Sequence, residues 1–173
     1  MSYPIVRTDL MMGTNNESLL RTFKYLPSNT PTAINNGCVV LLDSIITDTD
    51  GKIPNREVWK AGNVAATSPL KDVVLVATPE LMADEHKLNL DEFQNPADGL
   101  CRGYIFHEND IFSVTSDGFT TSLTTVAAGN VVELAAGNKM KIVSALTSGS
   151  TQVGKVIQVE TVGSKTYYVV RVC

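Results

Sequence analysis

Hydrophobic positions along this chain fall into short runs and alternations rather than helical stripes. GCVVLLDSIIT, from Gly37, is a short apolar run rich in β-branched residues and predicts a buried strand. PLKDVVLVATPE (69–80) predicts a second buried strand, closed by Pro79. From Leu100 onward the pattern is strand throughout. CRGYIF and DIFSVT flank HEND, NVVELA and KMKIVSA flank AAGN, and VGKVIQVETV and KTYYVVRV flank Gly163-Ser164. Gly-Ser between two alternating strands is a short-hairpin signal. In the last strand Thr166, Tyr168, Val170 and Val172 share one face, and Tyr167, Val169 and Arg171 the other.

The first 36 residues read differently. They are rich in Asn, Thr and Pro, with one short helix expected over NESLLRTFKYL (16–26), capped by Asn15 or Asn16 and stopped by Pro27 and Pro31. Residues 80–99 carry six acids against one Lys, and a short helix is expected near LMADEHKL. DTDGK (48–52) reads as a turn. The expected fold is mainly β: a small antiparallel barrel or sandwich over residues 37–173, an extended N-terminal arm over 1–36, and at most short helices. A subdomain boundary near residue 99 is left open.

Composition strengthens the β reading. The chain of 173 residues holds 20 Val and 18 Thr, both stiff at the first side-chain torsion and suited to strands. A chain of this length can build one core without metals or disulfides. The net charge of −4 argues against a nucleic-acid-binding face. No apolar stretch reaches the length of a membrane helix, and MSYPIVRTDL lacks the pattern of a signal peptide. Cys38, Cys101 and Cys173 are too widely spaced for a zinc motif and read as reduced thiols.

CRGYIFHENDIFSVTSDGF (101–119) concentrates what catalytic chemistry the chain offers. Cys101 and His107 are a conceivable nucleophile and base, with Asp110 or Asp117 orienting the imidazole. Six residues along a straight strand, however, separate the first two by roughly 20 Å. Asn and Asp favour turns because their side chains bond nearby backbone, so HEND and SDG read as turns. Aligning DTDG on a calcium loop puts Ile46 at the first ligand position, where a carboxylate is needed. His86 sits among acids without a second strong metal ligand at a definable spacing. No phosphate loop, GxSxG or HExxH motif is present. The expectation is a non-enzymatic protein with no catalytic residues, no cofactor and no metal.

Contact residues are sought instead among apolar groups the chain cannot obviously bury. Ile5, Leu10, Met11 and Met12 lie in the expected arm, which would gain by ordering on a partner. Trp59, in REVWKAG, is either an interface anchor or a core residue at a strand edge, the latter being the stronger reading.

A Thr-rich run, then AAGNVVELAAGNKMKIV, STQVGKVIQVE and KTYYVVRV, together with the Asn-, Thr- and Pro-rich N-terminus, resembles tailed-bacteriophage capsid decoration (cement) proteins and related virion proteins. The likeness covers the last third and the arm, and it is one of sequence style, so it transfers no single residue. It implies a virion structural protein, made in the host cytoplasm, that binds the outer capsid surface and stabilises the particle. The implied partners are the major capsid protein or another virion protein and further copies of the chain, as trimer or dimer, with no nucleic acid or membrane involved. Two alternatives stand beside it: a tail- or fibre-associated β-module binding a cell surface or carbohydrate, and a small cysteine hydrolase using Cys38 or Cys101.

Overall fold

The computed structural model describes residues 3–47, 54–80 and 92–173. Its strands are β1 (Val6–Leu10), β2 (Leu20–Tyr25), β3 (Val39–Thr47), β4 (Pro54–Gly62), β5 (Val73–Val76), β6 (Cys101–Ile105), β7 (Ile111–Thr115), β8 (Phe119–Thr121), β9 (Val131–Leu134), β10 (Met140–Val143), β11 (Gln152–Val162) and β12 (Lys165–Val172). The only helical pieces among the described residues are short 3-10 turns. The protein is therefore mainly β. Its strands form a closed five-stranded barrel, β2-β4-β3-β5-β6, and a seven-stranded sheet, β1-β7-β12-β11-β9-β10-β8.

Both sheets draw on one hydrophobic layer. Val39, Val73, Leu75, Tyr104 and Phe106 come from the barrel side, and Phe112, Val114, Val132, Leu134, Met140, Ile142, Val156 and Val170 come from the sheet. A second cluster fills the barrel, built from Phe23, Tyr25, Ile34, Cys38, Val40, Ala61, Val74, Val76 and Cys101. This explains why VVLV of β5 carries no polar alternation. Val73 and Leu75 point to the shared layer, Val74 and Val76 point into the barrel, and all four are buried. On β6 the barrel interior leaves no room for a side chain at Gly103, where a methyl group would lie 2.5 Å from Val74 Cγ2.

The carboxyl-terminal expectations hold for the hairpin. β11 and β12 pair antiparallel around the Gly163-Ser164 turn, where Gly163 has φ +62°, and Tyr168, Val170 and Val172 face the shared core. Two details differ. β8 and β10 run parallel rather than antiparallel. HEND also does not close a hairpin: β6 pairs with β2 and β5 inside the barrel, whereas β7 pairs with β1 and β12 in the sheet. Residues 106–110 are thus the passage from barrel to sheet.

The largest correction concerns residues 1–36. They do not form a separate arm: β1 is the edge strand of the sheet, and β2 is a barrel strand held between β4 and β6. The helix expected over 16–26 is a 3-10 turn at Glu17–Leu19 followed by β2. Asn16 does cap that turn, accepting a hydrogen bond from the Ser18 N–H. Alternation decides the outcome, because Phe23 and Tyr25, two residues apart, both enter the barrel core. The turn expected at 48–52 and the helix expected near LMADEHKL, with His86, lie outside the described residues.

Candidate interaction surface

The HEND turn holds the chain together at a specific place. Asp110 is buried, 4% exposed. Its Oδ1 accepts a 2.8 Å hydrogen bond from the Met12 N–H and its Oδ2 a 3.0 Å bond from the His107 N–H. The Asp110 carbonyl accepts from the Val172 N–H, and the Asn109 N–H donates to the Val172 carbonyl. One carboxylate therefore ties the segment after β1 to the passage between the sheets. A carboxylate suits this role because its two oxygens accept two N–H groups at once, one from each segment.

That tie sets the presentation of three neighbouring residues. Met11 turns inward, 1% exposed, into the shared core. Leu10 and Met12, on either side, are 63% and 44% exposed. Together with Asp9, Asn15, Glu108 and Asn109 they border a shallow depression of about 360 Å³. Of the anticipated contact residues, the structure brings Leu10 and Met12 together on the surface and removes Met11 as a contact residue. Ile5 is half-buried at the far end of β1, exchanging two hydrogen bonds with Thr115 through its N–H and carbonyl. Trp59 stands apart on β4, partly buried and packed against the barrel cluster.

The candidate catalytic group is dispersed. Cys101 is buried in the barrel cluster, with its thiol near the Gly99 carbonyl. His107 is exposed, and its Nδ1 lies 3.1 Å from the Glu108 carbonyl. Asp110 bonds the His107 backbone, not its ring. Burial pushes the Cys101 thiol up to about 11. Burial also raises Cys38 to about 11, outweighing the opposing effects of Lys139 and a backbone hydrogen bond at Asn35. Burial therefore disfavours the thiolate at both sites, and the thiolate is the nucleophilic form of cysteine.

No family model, curated protein or solved structure matches the chain.

The second feature is a groove of about 860 Å³ lined by Gly13, Thr14, Glu17, Leu20, Arg21, Thr22, Glu57, Trp59, Arg102 and Tyr104. Arg21 is fixed at its wall, with Nη1 donating to the Ser18 and Leu20 carbonyls at 2.7 and 2.8 Å. Strand pairing assembles the rest: Thr22 lies opposite Arg102 and also opposite Val58, and Phe23 lies opposite Trp59. Trp59 stands out in the sequence as the one tryptophan, whereas neither arginine is marked by any local pattern. Their proximity depends on β2 pairing with β6, some eighty positions along the chain, and no local pattern encodes that.

A third polar feature is structural. Glu133, in β9, is 1% exposed, and its carboxylate accepts from the Thr147 N–H and hydroxyl, both at 2.8 Å. Burial works to raise its pKa, but the two bonds from Thr147 and the Lys141 ammonium, 3.5 Å away, outweigh it and leave the carboxyl below its ordinary range.

Proposed function

We propose that this protein is a non-enzymatic virion structural protein that attaches to the outer surface of a capsid as a decoration protein. The observation that carries the reading is the pair Leu10 and Met12. Two large apolar side chains stand exposed on a short segment, anchored between them by Met11 and fastened beneath by Asp110. Exposed apolar groups on a preorganised segment suit burial against another surface, since little ordering entropy remains to be lost on contact. The burial of Cys38 and Cys101, which disfavours the thiolate, weighs against the cysteine-hydrolase alternative.

The segment is small, so a single copy would bind weakly. Symmetric assembly of several copies would multiply such contacts. The test is protein chemistry on gradient-purified particles of the virus that encodes the chain. The reading expects the chain in fixed stoichiometry to the major capsid protein and released by mild denaturation before the shell opens. Its absence from such particles would overturn the reading.

A further inference from the structure

The groove beside β2, β4 and β6 has a composition that selects a ligand class. We propose that it is a binding site for a neutral oligosaccharide. This inference is independent of attachment to a capsid.

Size comes first. At about 860 Å³ the groove falls within the ~300–1,000 Å³ typical of small-molecule sites and is larger than a single sugar ring requires. Charge comes second. The lining holds two arginines, Arg21 and Arg102, and two glutamates, Glu17 and Glu57, so it favours neither anion nor cation. Such groups hydrogen-bond a neutral ligand well: a guanidinium has five N–H donors, of which Arg21 spends Nη1 on the Ser18 and Leu20 carbonyls, and the Glu17 carboxylate can accept from hydroxyl hydrogens. The Thr14 and Thr22 hydroxyls do both. Arg102 is exposed, and its backbone N–H is held by the Thr78 hydroxyl.

Shape and apolarity come third. Trp59 packs on the barrel cluster and also lines the groove, so its ring is braced from behind. A braced aromatic ring loses little freedom on binding and offers a flat apolar face. Polyhydroxylated rings present an apolar C–H face and a polar rim of hydroxyls, and a flat aromatic beside paired donors and acceptors complements both. Gly13 brings the backbone close at the groove's edge: a methyl there would lie 2.9 Å from Tyr104 Cδ1. The segment carrying Thr14 and Glu17 is thereby seated against Tyr104.

Trp59 is the only tryptophan of the chain, so its emission reports on this groove directly. The experiment titrates the intact protein with maltohexaose, cellohexaose, chitohexaose and mannohexaose, with a heparin hexasaccharide as the charged comparison, followed by calorimetry on Arg102→Ala and Trp59→Ala. The expected result is a saturable change in emission with at least one neutral probe. Arg102→Ala, whose side chain lies outside both cores, should weaken that binding by roughly tenfold, the scale of a hydrogen bond to a charged group. Trp59→Ala should abolish it. If Trp59→Ala unfolds, Arg102→Ala alone carries the test. No response to any neutral probe overturns the proposal. So does binding of the heparin fragment alone, or a folded Arg102→Ala that keeps wild-type affinity.

Discussion

Replacing Asp110 by Ala removes a carboxylate that ties the segment after β1 to the passage between barrel and sheet. The carboxylate accepts from the Met12 and His107 N–H groups at 2.8 and 3.0 Å from a site only 4% exposed. Hydrogen bonds to a charged group contribute about 1.5–3 kcal/mol each, and a buried donor left unpaired costs about as much. Both bonds are part-buried. Water can therefore reach some of what is exposed, and the expected loss is about 2–4 kcal/mol rather than the full double value. For a chain of this length each kcal/mol lowers Tm by roughly 2–4 °C, which places the variant about 5–15 °C below wild type. Asp110→Asn keeps one acceptor oxygen but turns a donor toward the other N–H, and should fall between the two. Urea melts followed by Trp59 emission give the free energies, and amide exchange at Met12 and Gly13 localises the effect. If Asp110→Ala lies within about 0.5 kcal/mol of wild type, the range of ordinary surface substitutions, the carboxylate is not the fastening described here.

Glu133→Gln tests the other buried carboxylate through pH. Its folded pKa lies below its ordinary 4.5, so its charge stabilises the fold fully above that value, and the contribution disappears as pH falls through the lowered folded value. Wild type should therefore exceed Glu133→Gln in Tm at pH 7 and converge on it in acid; a constant gap would contradict the assignment. Thiol labelling under native conditions should modify Cys173, which is exposed, and spare Cys38 and Cys101 until denaturant is added. Prompt reaction of all three would show that the barrel interior is accessible. Deleting residues 2–26 removes β1 and the barrel strand β2, along with Phe23 and Tyr25, whose burial contributes about 1.5–3 kcal/mol each. The truncated chain should lack a cooperative melt, and a truncated chain with a near-native Tm would restore residues 1–36 to the status of a separate arm.

Strands whose two faces meet different surroundings were readable wherever the surroundings were local. The β11–β12 hairpin was legible because its turn residue, Gly163, and its core face, Tyr168, Val170 and Val172, lie within one short stretch. The β5 run was legible as buried, although its reason, a barrel on one side and a sheet on the other, was not. β2 is hard to read locally because Leu19, Phe23 and Leu26 keep a helical spacing while Phe23 and Tyr25 keep a strand's, and Arg21, at the same strand parity as Phe23 and Tyr25, blurs the alternation. Only pairing with β4 and β6 settles it, and those partners are far along the chain. HEND was correctly read as a turn, but the role of Asp110 depends on Met12, 98 positions away. Leu10 and Met12 are contact residues on the expectation of an exposed arm. They are exposed, but as parts of a fastened segment, and Met11 between them is core.

The attachment reading is tested most directly by co-sedimentation. Purified wild-type chain is mixed with capsids that lack it, from its proposed parent virus, and pelleted. The account predicts saturable binding at a fixed number of copies per capsid subunit, and a loss of binding by the folded Leu10→Asp, Met12→Asp double variant. Binding of that variant at wild-type level, or no binding by the wild-type chain, would contradict it.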